Sequence, residues 1–148
     1  MDKSPIHIIL ADDDESDRMN FKEALEESKI KTVVYTVRDG VELMDYLSKE
    51  DTPVPHLLFL DLNMPRKNGL ACLKEIRENE KLKQVAVAIY STSSSEKDID
   101  DTFQHGANVY IRKPTDYRVL KQVLDKVLSA VYVYREPPFN LANFLLKI

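Results

Sequence analysis

A single cysteine stands in this chain of 148 residues, so no disulfide can close within it. Cys72 falls in a helical pattern, where a small buried residue is the plain reading and a reactive thiol the rarer one, and a reducing cytoplasm is the expected setting. Glycine is nearly as scarce: Gly40, Gly69 and Gly106 fall at helix ends and do not compose a loop that could cradle a nucleotide phosphate. No apolar run approaches the ~20 residues that a bilayer span needs, and no basic stretch leads into an apolar segment at the start, so no membrane role is expected. Positive charge is also lacking. A net charge of -4, with Lys and Arg scattered rather than striped, argues against an autonomous grip on nucleic acid.

What is present is enough apolar chain, 43% of residues, for one globular domain with a sizeable core. Its centre is Leu57-Leu58-Phe59-Leu60-Asp61, a run between Pro55 and Pro65 that reads as a parallel strand buried on both faces. Ile6 to Ala11, Val33 to Val37, Val85 to Tyr90 and Val109 to Ile111 are the other strand patterns. Helical patterns alternate with them. The first runs from about Ser16 to Ser28 with Phe21, Ala24, Leu25 and Ser28 inward; the second carries Val41, Met44 and Leu47. A third follows Asn68-Gly69 with Leu70, Leu73 and Ile76 inward and Lys74, Glu75, Arg77 and Glu78 outward. The fourth, capped by Ser94 or Ser95, passes through Ile99 and Phe103 to Gly106, and the fifth runs from Thr115 or Asp116 to about Val131. Five strand and helix pairs in strict alternation imply an α/β fold: a five-stranded parallel sheet, doubly wound, with helices on both faces.

Such sheets form their sites outside the carboxyl ends of the strands. At that edge the pattern places Asp12, Asp13 and Asp14 from the first strand, Asp61 from the third, Ser91 and Thr92 from the fourth and Lys113 from the fifth. Two carboxylates ~4 Å apart repel by about 4 kcal/mol at an effective dielectric near 20, so this cluster needs a counter-charge. Hard oxygen donors with no His or Cys among them suit Mg²⁺ rather than zinc. A carboxylate beside such an ion can attack phosphorus and form an acyl phosphate. Asp61 would be the nucleophile; Lys113 and a hydroxyl from Ser91 or Thr92 would hold phosphoryl oxygens.

The segments ILADDD (9 to 14), LDLNMPRKNG (60 to 69), YSTSS (90 to 94) and YIRKP (110 to 114) together resemble the response-regulator receiver domains of two-component signalling, the CheY-like family. Each is weak alone; the order, with 30 residues from Asp61 to Ser91 and 22 from Ser91 to Lys113, makes them specific. The resemblance covers about residues 5 to 131. It implies Asp12 and Asp13 as the acidic pair around Mg²⁺, Asp61 as phosphoacceptor, and Asn63 as the residue lending a backbone carbonyl to the metal. It further implies Ser91 as switch hydroxyl, Tyr110 as switch aromatic and Lys113 as the phosphoryl-binding lysine. Asp14 offers a shifted register for the acidic pair and Thr92 a competing hydroxyl. On phosphorylation Ser91 would move toward the phosphoryl group and Tyr110 into the space it leaves, changing the face made by the fourth helix, fifth strand and fifth helix.

Residues 132 to 148 are expected to form a C-terminal tail, too short for the DNA-binding module that many family members append. The implied partners are a sensor histidine kinase or histidine phosphotransfer protein and a downstream protein target. The tail is apolar and resembles the aromatic C-termini of stand-alone receivers that work beside phytochrome-like sensor kinases. Either Phe139, Phe144 and Leu145 fold back on their own domain, or the tail makes a homodimer or partner contact, the face of the fourth helix, fifth strand and fifth helix being the other homodimer surface. Three rivals share the layering. A haloacid-dehalogenase-like phosphatase wants an acid where Asn63 stands, a flavodoxin-like module would have its phosphate repelled by Asp12 to Asp14, and an unphosphorylated adaptor would not need the full acid, hydroxyl and lysine set.

Overall fold

In the computed structural model, which describes residues 4–133 and 145–146, strands and helices alternate from Ile6 to Val133. They are β1 (Ile6–Ala11), α1 (Glu15–Glu26), β2 (Thr32–Val37), α2 (Gly40–Leu47), β3 (Leu57–Leu60) and α3 (Gly69–Glu78). β4 (Ala86–Ser91), α4 (Glu96–Gln104), β5 (Val109–Arg112), α5 (Tyr117–Val133) and β6 (Leu145–Leu146) complete the series. Four helices start at a side-chain cap. Asp14, Asp39, Asn68 and Ser95 accept the backbone N–H of the residue three positions on, each contact worth about 1 kcal/mol.

The sheet is parallel throughout, in the order β2-β1-β3-β4-β5-β6. The chain steps outward from β1 to β2 and then returns past β1 to β3, so a crevice opens between the carboxyl ends of β1 and β3. One face is closed by α1 and α5, whose Phe21, Leu25, Leu120, Leu124 and Leu128 pack with Leu10, Phe59 and Tyr90. The Phe21 ring makes edge-to-face pairs with Phe59 and Tyr90, their centroids 4.8 and 5.8 Å apart. Against the other face lie Leu43, Leu47, Leu73 and Ile76 with Ile9, Leu58, Leu60 and Ile89. β3 and β4 are buried along their whole length, as continuous apolar runs in a doubly covered sheet must be.

Several sequence expectations shift. A sixth strand joins the five: Leu145 and Leu146 pair with Tyr110 and Ile111, so this part of the tail folds back on its own sheet. Phe139 and Phe144 lie outside the described residues. In α2 the fully buried residues are Gly40, Leu43 and Leu47, while Met44 packs half-buried against the core and Val41 is only half-buried. In α4 only Thr102 is buried and Phe103 is 47% exposed, a rotation that leaves Ile99 half-buried against the core. Ser28 lies beyond the end of α1, where its hydroxyl accepts the N–H of Ile30. Arg77 turns inward rather than outward, for reasons taken up below.

Candidate functional site

Backbone pairing continues one residue past three strand ends, and that fixes the site. Asp12 N–H donates to the Val37 carbonyl, Asp61 N–H to Ala11, and Lys113 N–H to Ser91, at 2.8 to 3.1 Å. Each functional side chain therefore leaves a rigid ladder, not a free loop. Behind Asp61 the chain folds tightly: a Cβ on Gly69 would meet the Asp61 carbonyl oxygen at 2.2 Å, so only glycine fits there.

Carboxylate oxygens of Asp12, Asp13 and Asp61 lie within 4.8 Å of one another. Lys113 reaches over them, its Nζ 2.8 Å from Asp12 Oδ2, 2.9 Å from Asp17 Oδ2 and 3.2 Å from Asp61 Oδ2. The same ammonium stands 5.5 Å from the centre of the Tyr90 ring. Burial drives the Asp12 carboxyl up to about 6, although Lys113 and the Asp14 N–H both favour its charged form. Burial also raises Asp61, against the pull of Lys113 and of the Asn63 N–H that donates to Oδ1 at 3.2 Å, and Asp13 adds to the rise. For Lys113 burial works to lower the value, but the close carboxylates of Asp12, Asp17 and Asp61 win and hold it well above the ordinary lysine value.

One cation thus faces three carboxylates, those of Asp12, Asp17 and Asp61, and Asp13 brings the carboxylates at the site to four. Asp12 Oδ2 is fully buried and has a charge partner in Lys113, but no donor hydrogen is aligned on it. A buried, unsatisfied carboxylate oxygen in an all-oxygen cluster fits a small hard divalent cation, Mg²⁺ or Mn²⁺, and gives zinc no soft ligand.

Of the remaining predicted residues, Ser91 ends β4, is fully buried and accepts the Ser93 N–H at 3.1 Å, whereas Thr92 is exposed. Asn63 is exposed beside Asp61. Asp14 stands apart from the acidic cluster and caps α1 by accepting the Asp17 N–H. Tyr110 is already inside, 1% exposed, its hydroxyl donating to the Ser93 carbonyl at 2.9 Å. Ser93 in turn donates to Asp98 of α4 at 2.6 Å, which ties the hydroxyl loop to that helix. Asp17 was missed by the sequence reading. Its signal was there: in the first turn of a helix that starts where β1 ends, a side chain tilted toward the helix N-terminus returns to the strand end.

Residues 8–125 match the response regulator receiver domain family. The response regulator Rcp1 of Synechocystis sp. is 32% identical over 129 residues, covering 84% of this chain and 88% of that protein. A chemotaxis protein CheY homolog of Campylobacter jejuni is 35% identical over 97 residues, 65% of this chain and 72% of that one. Among solved structures, the phosphorylated cyanobacterial phytochrome response regulator RcpA superposes with a TM-score of 0.81 at 33% identity, covering 90% of this chain and 98% of that one. The Mn²⁺-bound form of Rcp1 gives 0.78 at 28% identity, covering 92% and 99%.

Proposed function

Because this chain belongs to the response regulator receiver domain family of two-component signalling, we propose that it is a receiver that accepts a phosphoryl group on Asp61 and signals by protein contact. The observation that carries this is the cluster of Asp12, Asp13 and Asp61 oxygens within 4.8 Å, with Lys113 Nζ 3.2 Å from Asp61.

An Asp61 carboxylate oxygen attacks phosphorus, and the bond between phosphorus and the donor breaks with its electron pair leaving on the donor. Burial raises the Asp61 carboxyl, and Lys113 and the Asn63 N–H, which both favour its charged form, hold that rise back. Lys113 holds a phosphoryl oxygen as a point charge, and the Ser91 hydroxyl would donate to another. Asp12 and Asp13, with Asp61 and the backbone carbonyl of Asn63, would hold Mg²⁺, and the ion would supply charge neutralisation there. RcpA is described as a phytochrome response regulator, and that supports a phytochrome-like histidine kinase as donor. The output face is that of α4, β5 and α5. There the chain from Tyr110 through Ser93 to Asp98 links the site to α4, and a downstream target or a second copy would read the change.

The test is intact mass after incubation with Mg²⁺ and acetyl phosphate. One base-labile phosphoryl adduct is expected, dependent on Mg²⁺ and absent from Asp61→Asn. No adduct with any donor would leave the unphosphorylated adaptor, and steady release of phosphate from unrelated monoesters would point to a phosphatase.

A further inference from the structure

The fourth carboxylate at the site has no part in the reading above. Asp17 lies in the first turn of α1, placed there by the Asp14 cap, and its Oδ2 accepts a hydrogen bond from Lys113 Nζ at 2.9 Å across 96 residues of sequence. It does not join the cluster of Asp12, Asp13 and Asp61. Asp17 therefore touches the lysine without belonging to the set that would hold a cation.

We infer that Asp17 is a positioning residue that keeps the Lys113 ammonium over Asp61 while Asp61 changes character; this rests on the phosphoacceptor reading. Of the three carboxylates facing Lys113, Asp12 offers no aligned hydrogen bond and Asp61 is the most distant, at 3.2 Å. Once an Asp61 oxygen bonds to phosphorus, that carboxylate has lost its charge and its hold on the ammonium weakens. The released N–H turns to the new phosphoryl oxygen. Asp17 undergoes no bond change and remains the aligned anchor, so a flexible four-carbon stem need not be ordered again for each transfer. Its negative charge is tolerated because 37% of its side-chain surface meets water, which screens it from the phosphoryl group.

The test uses the full chain as Asp17→Ala, Asp17→Asn and Asp17→Glu, with three readouts. These are the rate of adduct formation against acetyl phosphate concentration, the Mn²⁺ affinity, and the ¹⁵N NMR signal of the Lys113 ammonium, identified by its loss in Lys113→Arg. For Asp17→Ala the maximal rate should fall about tenfold, equivalent to about 1.4 kcal/mol, with donor half-saturation and Mn²⁺ affinity unchanged. The ammonium signal should broaden into solvent exchange, and Asp17→Glu and Asp17→Asn should restore part of both effects. A wild-type rate and an unchanged signal in Asp17→Ala would overturn the assignment, as would a rate loss that tracks lost stability and is not rescued by Asp17→Glu. If the wild-type chain forms no adduct, the Asp61 reading fails instead, and the ammonium signal alone then decides the role of Asp17.

Discussion

Arg77 and Lys113 are both partly buried cations at opposite edges of the sheet, and their surroundings differ in kind. Among the described residues Arg77 donates only to neutral oxygens: the Gly106, Lys83 and Val85 carbonyls and Asn108 Oδ1, at 2.7 to 3.0 Å. Gly106 takes φ +95° beneath it, where an added Cβ would stand 2.9 Å from the guanidinium Nε. That arrangement ties the end of α3 to the segments entering β4 and β5 and is complete as it stands. Lys113 faces carboxylates instead, more of them than it can neutralise. Fixed dipoles around a cation make a joint, whereas uncompensated charge at a strand edge makes a site that a further cation and a phosphoryl group can enter.

That difference can be broken by substitution. The largest effect is expected on transfer: Lys113→Ala should slow adduct formation at Asp61 by about a hundredfold or more, the usual loss when a preorganised charge partner is removed. Arg77→Ala should leave the rate per folded molecule unchanged. Its effect belongs to stability, where urea unfolding should show a loss of about 3 kcal/mol as buried carbonyls lose their donor. A loss confined to the rate would reverse the roles of the two cations.

Next in size is the pH dependence of the metal-free protein. The native Asp12 carboxyl titrates near 6, above the ordinary value of 3.8, so the native state binds more protons than the unfolded state between these values. Its contribution to stability is therefore fullest below 3.8 and is lost as pH rises through about 6. At pH 7.5 this carboxylate costs on the order of 2 to 3 kcal/mol. Asp12→Asn should raise the urea midpoint at pH 7.5 without metal, and the gain should shrink as pH falls toward 4. A gain that does not change with pH would show that burial of the charge is not its source.

The smallest effect is expected from a third cation. Arg66 pairs with both oxygens of Asp39 at 3.1 and 3.2 Å but is 59% exposed. Arg66→Ala should cost less than about 1 kcal/mol by urea unfolding and leave adduct formation unchanged.

Much of this was legible in the sequence because the fold and the site share one cause. Continuous apolar runs made β1 and β3 visible, and the residue after each such run had to emerge at the carboxyl edge, which places Asp12 and Asp61 without any knowledge of packing. Lys113 followed from the same logic on β5. Arg77 was not legible: at a helix end, a long side chain whose stem runs along the surface looks the same in sequence whether its head meets water or a ring of carbonyls. Asp17 is one of two acids in the first turn of α1, and nothing local distinguishes it; only its meeting with Lys113 across the fold gives it a role. β6 could not be foreseen as a strand, since two leucines carry no periodicity.

The most direct measurement is thermal unfolding of the wild-type chain and Asp13→Asn across a Mg²⁺ titration at pH 7.5. If the carboxyl edge is an incomplete charge cluster that a divalent cation fills, the wild-type melting temperature rises saturably with Mg²⁺, by an amount set by the ratio of free metal to its dissociation constant. Asp13→Asn then loses most of that response. A wild-type chain indifferent to millimolar Mg²⁺, or a response that survives unchanged in Asp13→Asn, would contradict it.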